Sequence, residues 1–151
     1  MAEYLTSSDS LVALNGTIPF DTVSIPCNKG YVIPLATGVL NLQGSNTNKF
    51  ARYNVKVQAN IQIPEEGELT PIAIGITING NVVPESVAIF TPQAVEEYGF
   101  IHTEFPVTVP CGCCVSVSAI YTDGTGDDPV TTPTPSITVR RKASISVERI
   151  A

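Results

Sequence analysis

The sequence has no tryptophan, a single methionine, a single histidine and few charges. Charged residues make up 15% of its 151 residues, whereas an average soluble domain has roughly 25%. Uncharged polar residues must therefore cover most of the surface, and we expect other chains to cover part of the apolar surface. The composition favours one domain with its own core that assembles into an oligomer.

Basic clusters and long apolar runs are scarce as well. The net charge is −6, and the largest basic cluster is the run at residues 140–142. Nucleic acids and anionic membranes are therefore poor candidate partners. No segment approaches the roughly 20 apolar residues of a membrane span, so we expect no membrane insertion. Residues 1–5 lack the regions of a signal peptide, which predicts synthesis in a cytoplasm without Sec export.

Strand patterns dominate the sequence. Apolar and polar residues alternate over residues 53–63, and isoleucine occupies every second position of residues 72–78. A period of two is typical of strands with one face in a core. Asn79 and Gly80 then form a type I′ hairpin signal, with the return at residues 82–83. Seven further short runs have strand character: residues 22–25, 31–35, 39–42, 87–90, 105–109, 115–121 and 137–150. About nine or ten strands in an all-β sandwich or barrel are therefore predicted.

Three segments lie outside this pattern. Residues 1–14 are predicted to be an N-terminal arm that tethers the domain at residues 15–151. Residues 92–98 have the composition of one helical turn. Residues 122–135, rich in Asp, Gly and Pro, are predicted to be an exposed loop. Its three aspartates suit Ca²⁺, but their spacing matches no EF-hand, and a solvated acidic loop is the favoured interpretation.

The four cysteines are Cys27, Cys111, Cys113 and Cys114. A zinc site is disfavoured because Cys113 and Cys114 begin a predicted strand, where neighbouring side chains point to opposite faces. Cys27 and Cys111 each follow a strand that ends in proline, so the two read as equivalent turns. Buried structural thiols are the favoured interpretation, and a disulfide formed in an oxidising medium is the alternative.

Motifs for catalysis or for a cofactor do not occur. The sequence has no nucleophile elbow, metalloprotease pair, phosphate-binding loop or dinucleotide fingerprint, so we expect no enzyme activity and no cofactor. His102 is interpreted as a surface or interface residue rather than a catalytic base. Arg141 lies on the apolar phase of residues 137–150, which predicts a bulge or a subunit interface there.

Residues 51–57, with the sequence ARYNVKV, resemble the core strand of the trimeric jelly rolls of tumour necrosis factor and C1q, with Ala51 where glycine is usual. The strand that ends in NGNVVP at residues 79–84 also fits this superfamily. The resemblance implies a jelly-roll β-sandwich that forms a homotrimer, in which apolar outer surface is buried around an axis. The interface candidates are Tyr98, Phe100, Phe105 and Arg141.

Residues 76–80 and 110–117, taken together, are similar to small proteins from structural-gene regions of phages and prophages of Firmicutes. This resemblance implies a virion protein, either capsid decoration or a head-fibre component, that is assembled in the host cytoplasm and contacts the major capsid protein or another virion component. The loop at residues 122–135 would then face a cell-surface or mucus glycan. Two alternatives stay open: a spore- or cell-surface module that binds a carbohydrate or receptor, and a small hydrolase on a jelly-roll scaffold.

Overall fold

The computed structural model of the protein describes residues 2–27, 30–45, 49–67, 69–112, 114–122 and 135–150. Within these ranges there are thirteen β-strands, and the only helical element in them is a 3₁₀ turn at Pro84–Ser86. None of this described structure includes a helix long and apolar enough to cross a membrane. The prediction of an all-β protein is confirmed.

The strands, numbered β1 to β13 in chain order, are Ala2–Leu5, Ser10–Ala13, Thr22–Ile25, Val32–Ala36, Val39–Gln43, Phe50–Gln62, Ile72–Ile78, Asn81–Val82, Ala88–Phe90, Gly99–Pro110, Cys114–Thr122, Ser136–Val139 and Ser144–Arg149. The alternation at residues 53–63 corresponds to β6, and the isoleucine run corresponds to β7. Asn79 and Gly80 both have positive φ, at 52° and 85°, and β8 follows them. These three predictions are confirmed.

The strands form two antiparallel sheets, packed as a β-sandwich. In sheet A, β10 lies at one edge and is followed by β6, β13, β1 and finally β3, while β12 pairs with the last two residues of β6 and β2 pairs with β12. In sheet B the order is β4, β5, β11 and β7, and both β8 and β9 pair with β7. Residues on one outer face therefore come from strands far apart in the sequence.

The strand pairs are nested along the chain. β7 pairs with β9, β6 with β10, β5 with β11, and β1 with β13, so each pair encloses the one before it. The connections between β5 and β6, β6 and β7, β9 and β10, and β10 and β11 each cross from one sheet to the other. The chain thus follows the path of one long hairpin wrapped around a common core.

The core lies between the sheets and takes side chains from both. Sheet A contributes Tyr53, Val55 and Ile61, and sheet B contributes Leu40 and Ile74, each at most 1% exposed. Burial of an aliphatic side chain of this kind stabilises the fold by about 1.5–3 kcal/mol. Burial alternates along β6 with the period of the sequence, so its polar positions point away from this core.

Residues 2–14, predicted to belong to a tethering arm, lie in sheet A. β1 pairs with β13 and β2 pairs with β12. Ala2, Tyr4 and Val12 are buried in the common core because they fall on the inward face of these strands. The polar residues 7–9 separate the two short strands, which obscures their alternation in the sequence.

The helical turn predicted at residues 92–98 is wrong: the chain makes a turn there in which Glu96 has a φ of 61°. The backbone N–H of Glu96 donates to the carbonyl of Ile63 at 2.8 Å, which fixes this turn beside the end of β6.

The loop predicted at residues 122–135, with its three aspartates, lies outside the described residues except for Thr122 and Pro135.

Candidate binding face

The outer face of sheet A is polar across its central strands. On β6, Asn54, Lys56 and Gln58 alternate with core residues and are half-buried. The strand register places Ser146 of β13 and Glu104 of β10 on either side of Lys56. We call this surface the polar face, and it consists of Glu3, Asn54, Lys56, Gln58, His102, Glu104, Ser144, Ser146 and Glu148.

A groove with a volume of about 190 Å³ lies on the polar face. Three neighbouring strands, β1, β13 and β6, supply its lining, which is Glu3, Asn54, Lys56, Gln58, Ser144, Ser146 and Glu148. The lining combines carboxylates, amides, hydroxyls and one ammonium group, so it offers both hydrogen-bond donors and acceptors. Such a surface suits a ligand that is itself rich in donors and acceptors.

Glu104 lies close to two side chains of the polar face, Asn54 and His102. Its Oε1 atom accepts a hydrogen bond from Asn54 Nδ2 at 2.7 Å. Its Oε2 atom lies 3.8 Å from His102 Nε2, and both of these side chains are partly exposed. Because the Asn54 amide nitrogen is engaged, the Asn54 carbonyl oxygen is held in place as an acceptor.

Exposed aromatic rings lie at both ends of the β6–β10 pair. Phe100 is opposite Asn60, and Phe50 is opposite Pro110. Phe100 is 61% exposed and Phe50 is 51% exposed. Both share the outward phase of the polar residues on their strands. The polar face is therefore bordered by apolar rings at its two ends.

The turn between β12 and β13 carries three consecutive cations, Arg140, Arg141 and Lys142, which we call the basic turn. All three are exposed, and Lys142 has a φ of 68°. The inward phase of the strand includes Val139 and Ala143, but the backbone turns outward between them. Arg141 therefore lies in a turn between two strands, with its side chain exposed. Its position in the sequence is in register with the apolar residues at 137–150, but the strand is interrupted there.

Contacts to neighbouring segments hold the basic turn in place. Asp9 Oδ1 accepts a hydrogen bond from the backbone N–H of Arg141 at 2.9 Å. The hydroxyl of Thr6 donates to the carbonyl of Arg140 at 3.3 Å. The guanidinium of Arg140 lies over the ring of Tyr98, 5.4 Å from its centroid. The backbone at this turn is thus supported from two sides.

No family model matches the chain, and no curated protein matches it. Among solved structures, the chain is similar to the C-terminal domain of EclA, described as a sugar-binding protein, with 13% identity and a TM-score of 0.40 over 94% of this chain and 79% of that one. It is also similar to CBM35 from Paenibacillus barcinonensis, with 20% identity and a TM-score of 0.27 over 91% of this chain and 96% of that one.

The predicted interface residues do not all lie on the surface. Tyr98 is 37% exposed and Phe100 is 61% exposed, in agreement with outward positions. Phe105 instead points inward and packs against the core, because it has the same phase on β10 as Val107 and Val109. Phe105 is only half-buried, and its interface role stays a prediction.

The cysteines differ in their surroundings. Cys27, Cys111 and Cys114 are present as thiols, and Cys113 lies outside the described residues. Cys27 is half-buried against the core, whereas Cys111 and Cys114 are exposed because they lie at the turn that connects β10 to β11. The prediction of buried thiols is therefore wrong for Cys111 and Cys114. In the described ranges, no three His, Cys, Asp or Glu residues are grouped so as to hold a metal ion.

The groove itself was not apparent from the sequence. The polar phase of residues 53–63 is visible there, and it supplies Asn54, Lys56 and Gln58. Glu3 and Glu148 are at opposite ends of the chain, and only the pairing of β1 with β13 brings them to the same face. An alternating strand with amides at most of its outward positions is the one local signal that indicates such a surface.

Proposed function

We propose that the protein is a non-catalytic module that binds a carbohydrate on its polar face. The observation that carries this proposal is the groove between β1, β13 and β6, whose seven lining residues are all polar or charged. Sugar hydroxyls both donate and accept hydrogen bonds. A lining of carboxylates, amides and hydroxyls therefore matches them better than it matches an apolar ligand.

The position of the aromatic rings supports the same proposal. Phe100 exposes most of its surface on the outer face of β10, opposite Asn60. Strand β6 borders the groove and pairs with β10, so a sugar chain that extends from the groove across β6 reaches this apolar ring and can stack on it. The strands that form the groove are extended and antiparallel, so the site is preformed rather than assembled from loops.

A glycan array followed by calorimetry tests this proposal. For a glycan that binds, Asn54→Ala and Gln58→Ala should each weaken binding about ten-fold, which corresponds to the loss of one hydrogen bond. Asn41→Ala is the matched control, because Asn41 is a half-buried amide on the outer side of sheet B. The absence of binding to any glycan, or equal affinities for both groove variants and the wild type, would contradict the proposal.

Product analysis in the same assay separates binding from catalysis. Glu3 and Glu148 both line the groove, so a hydrolase would have two carboxylates available at the site. A non-catalytic module leaves the bound glycan intact after prolonged incubation. Release of new reducing ends that is abolished by Glu148→Gln would instead establish the hydrolase alternative.

A second candidate is a trimeric jelly roll of the tumour necrosis factor and C1q type in a phage virion, where it contacts the major capsid protein. The nested strand pairs support the jelly-roll assignment, since two Greek keys in facing sheets are typical of that fold. Exposed apolar side chains on a charge-poor chain support assembly; they include Leu69, Ile89, Tyr98 and Phe100.

Two measurements test this second candidate. Light scattering at micromolar concentration should give the mass of a trimer, and Phe100→Lys should reduce it to that of a monomer. A stable wild-type monomer would contradict trimer formation. Mass spectrometry of purified phage particles should detect the chain in the virion, and its absence from particles would exclude the virion role.

A further inference from the structure

The basic turn concentrates positive charge in an acidic protein. Three of the eight lysine and arginine residues of the chain are consecutive there, although the net charge is −6. In the described part of the chain, no carboxylate oxygen lies within 4 Å of the side-chain nitrogen atoms of the basic turn. Three adjacent cations produce a local positive potential that attracts anions, and the single carboxylate of Asp9 beside them offsets only part of it.

Two open concavities adjoin this turn. One has a volume of about 260 Å³ and is lined by Asn60 and the basic turn. The other has a volume of about 450 Å³ and is lined by Ser7, Ser8, Asp9, Arg140 and Arg141. A bound anion would thus have space beside the cations, and the backbone around them is fixed by Asp9 and Thr6.

Asn60 connects the basic turn to the groove. It has the same outward phase on β6 as Asn54 and Gln58, and it also lines the smaller concavity beside the basic turn. The six-residue separation of Asn54 from Asn60 corresponds to about 20 Å along an extended strand. A chain-like ligand that lies in the groove and continues along β6 therefore reaches the cations.

We propose that the basic turn binds the anionic groups of an acidic glycan whose neutral part lies in the groove. The inference rests on the proposed carbohydrate-binding function and specifies its ligand class. Arginine forms bidentate hydrogen bonds with sulfate, phosphate and carboxylate groups, and Arg140 and Arg141 supply two such groups. The charge pattern disfavours nucleic acid, because Glu3 and Glu148 in the groove repel a continuous phosphate backbone.

Binding of dextran sulfate of low sulfation, in which neutral sugar units separate the charged ones, and of unsubstituted dextran of equal length to the full chain tests this inference. The sulfated polymer should bind more tightly than the unsubstituted one, and this difference in affinity should decrease as salt is added. The combined variant Arg140→Gln, Arg141→Gln and Lys142→Asn should weaken binding of dextran sulfate about ten-fold. Each of the three single substitutions should weaken it about two- to five-fold. Asparagine is chosen at 142 because it tolerates positive φ.

Two further variants serve as controls. Lys49→Gln removes one exposed positive charge next to the opposite end of β6 and should leave the affinity for dextran sulfate unchanged within two-fold. Asp9→Asn removes a negative charge beside the basic turn but keeps an oxygen that can accept the hydrogen bond from Arg141. It should strengthen binding about two-fold, which structural damage would not do.

The outcomes distinguish this inference from the proposed function. If the combined variant binds dextran sulfate as tightly as the wild type or the Lys49 variant does, the inference is overturned, whatever the groove binds. If the combined variant loses binding but Asn54→Ala and Gln58→Ala have no effect on any glycan, the cations bind anions and the proposed groove function fails. Equal affinity for an oligodeoxythymidylate through the same three cations would overturn the assignment to a glycan.

Discussion

Phe90 and Gly99 connect the two sheets at one edge of the sandwich, where the Phe90 ring lies against the backbone of Gly99 and occupies the space of the missing side chain. Phe90 is the last residue of β9 in sheet B, and Gly99 is the first residue of β10 in sheet A. Phe90 is half-buried and packs against the core. The contact is possible only because residue 99 has no Cβ.

We expect Gly99→Ala to lower the free energy of unfolding by about 1–3 kcal/mol, because the added Cβ would overlap the Phe90 ring and force it to move. Urea denaturation measures the change. A double variant with Phe90→Leu should recover part of the loss, since the smaller side chain vacates the space. Unchanged stability in Gly99→Ala would show that the ring moves without cost.

Gly38 and Gly80 form a matched pair, with φ angles of 83° and 85°. A Cβ on Gly38 would overlap the carbonyl oxygen of Ile18, whereas a Cβ on Gly80 would have nothing within 4 Å. We expect Gly80→Ala to cost about 1–2 kcal/mol for the left-handed backbone alone. Gly38→Ala should cost at least about 1 kcal/mol more, because a backbone atom cannot be displaced easily. Thermal and urea denaturation of both variants measure the difference, and equal losses would contradict the close approach at Ile18.

Ser86 is a buried hydroxyl that completes the hydrogen bonding of β7. Its Oγ accepts the backbone N–H of Ile76 at 2.9 Å and donates to the carbonyl of Val83 at 2.7 Å. Ser86→Ala should therefore reduce stability by about 1–3 kcal/mol, because the buried N–H of Ile76 loses its side-chain acceptor. The control is Ser116→Ala at a half-buried position, which should change stability by less than about 0.5 kcal/mol. Similar losses in both variants would rule out this role for Ser86.

Tyr53 should make stability sensitive to alkaline pH. Burial raises the pKa of Tyr53, and the nearby Arg149 offsets the shift in part. The unfolded chain then ionises first, so stability is complete below about pH 10 and decreases as the pH rises from there through the folded pKa.

Tyr53→Phe tests this pH dependence. At neutral pH the variant should be less stable by about 1 kcal/mol, because Tyr53 donates a hydrogen bond to the carbonyl of Gln43 at 2.5 Å. Above about pH 10 the gap should narrow, since phenylalanine cannot ionise. Urea denaturation over a series of pH values measures both effects, and parallel stability curves would contradict the raised pKa.

Local pattern was sufficient to predict most of the strands. Residues 53–63 and 72–78 have a clear period of two, and β6 and β7 follow it closely. Asn79 and Gly80 adopt the positive φ angles that their residue types favour. Such features depend on residues close together in the sequence, because the conformational preferences and the polarity of neighbouring residues determine them.

Features that depend on contacts between residues far apart in the sequence were not predictable from local patterns. Arg141 has the apolar phase of its strand, and only the contact of the turn with residues 6–9 explains why the backbone leaves the sheet there. Glu3 and Glu148 meet in one groove because of a register between strands more than a hundred residues apart. A period of two shows which residues share a face, but it does not show which strands are neighbours.

The nested strand order also has a consequence for synthesis. When a ribosome has released only the first half of the chain, β1 and β6 have no partner on the side that β13 later occupies. Their unpaired edges stay available to other nascent chains until the last strand emerges. We therefore expect folding to be slow and to be completed only after β13 has been synthesised, and we expect the yield of native protein to fall at high expression rates.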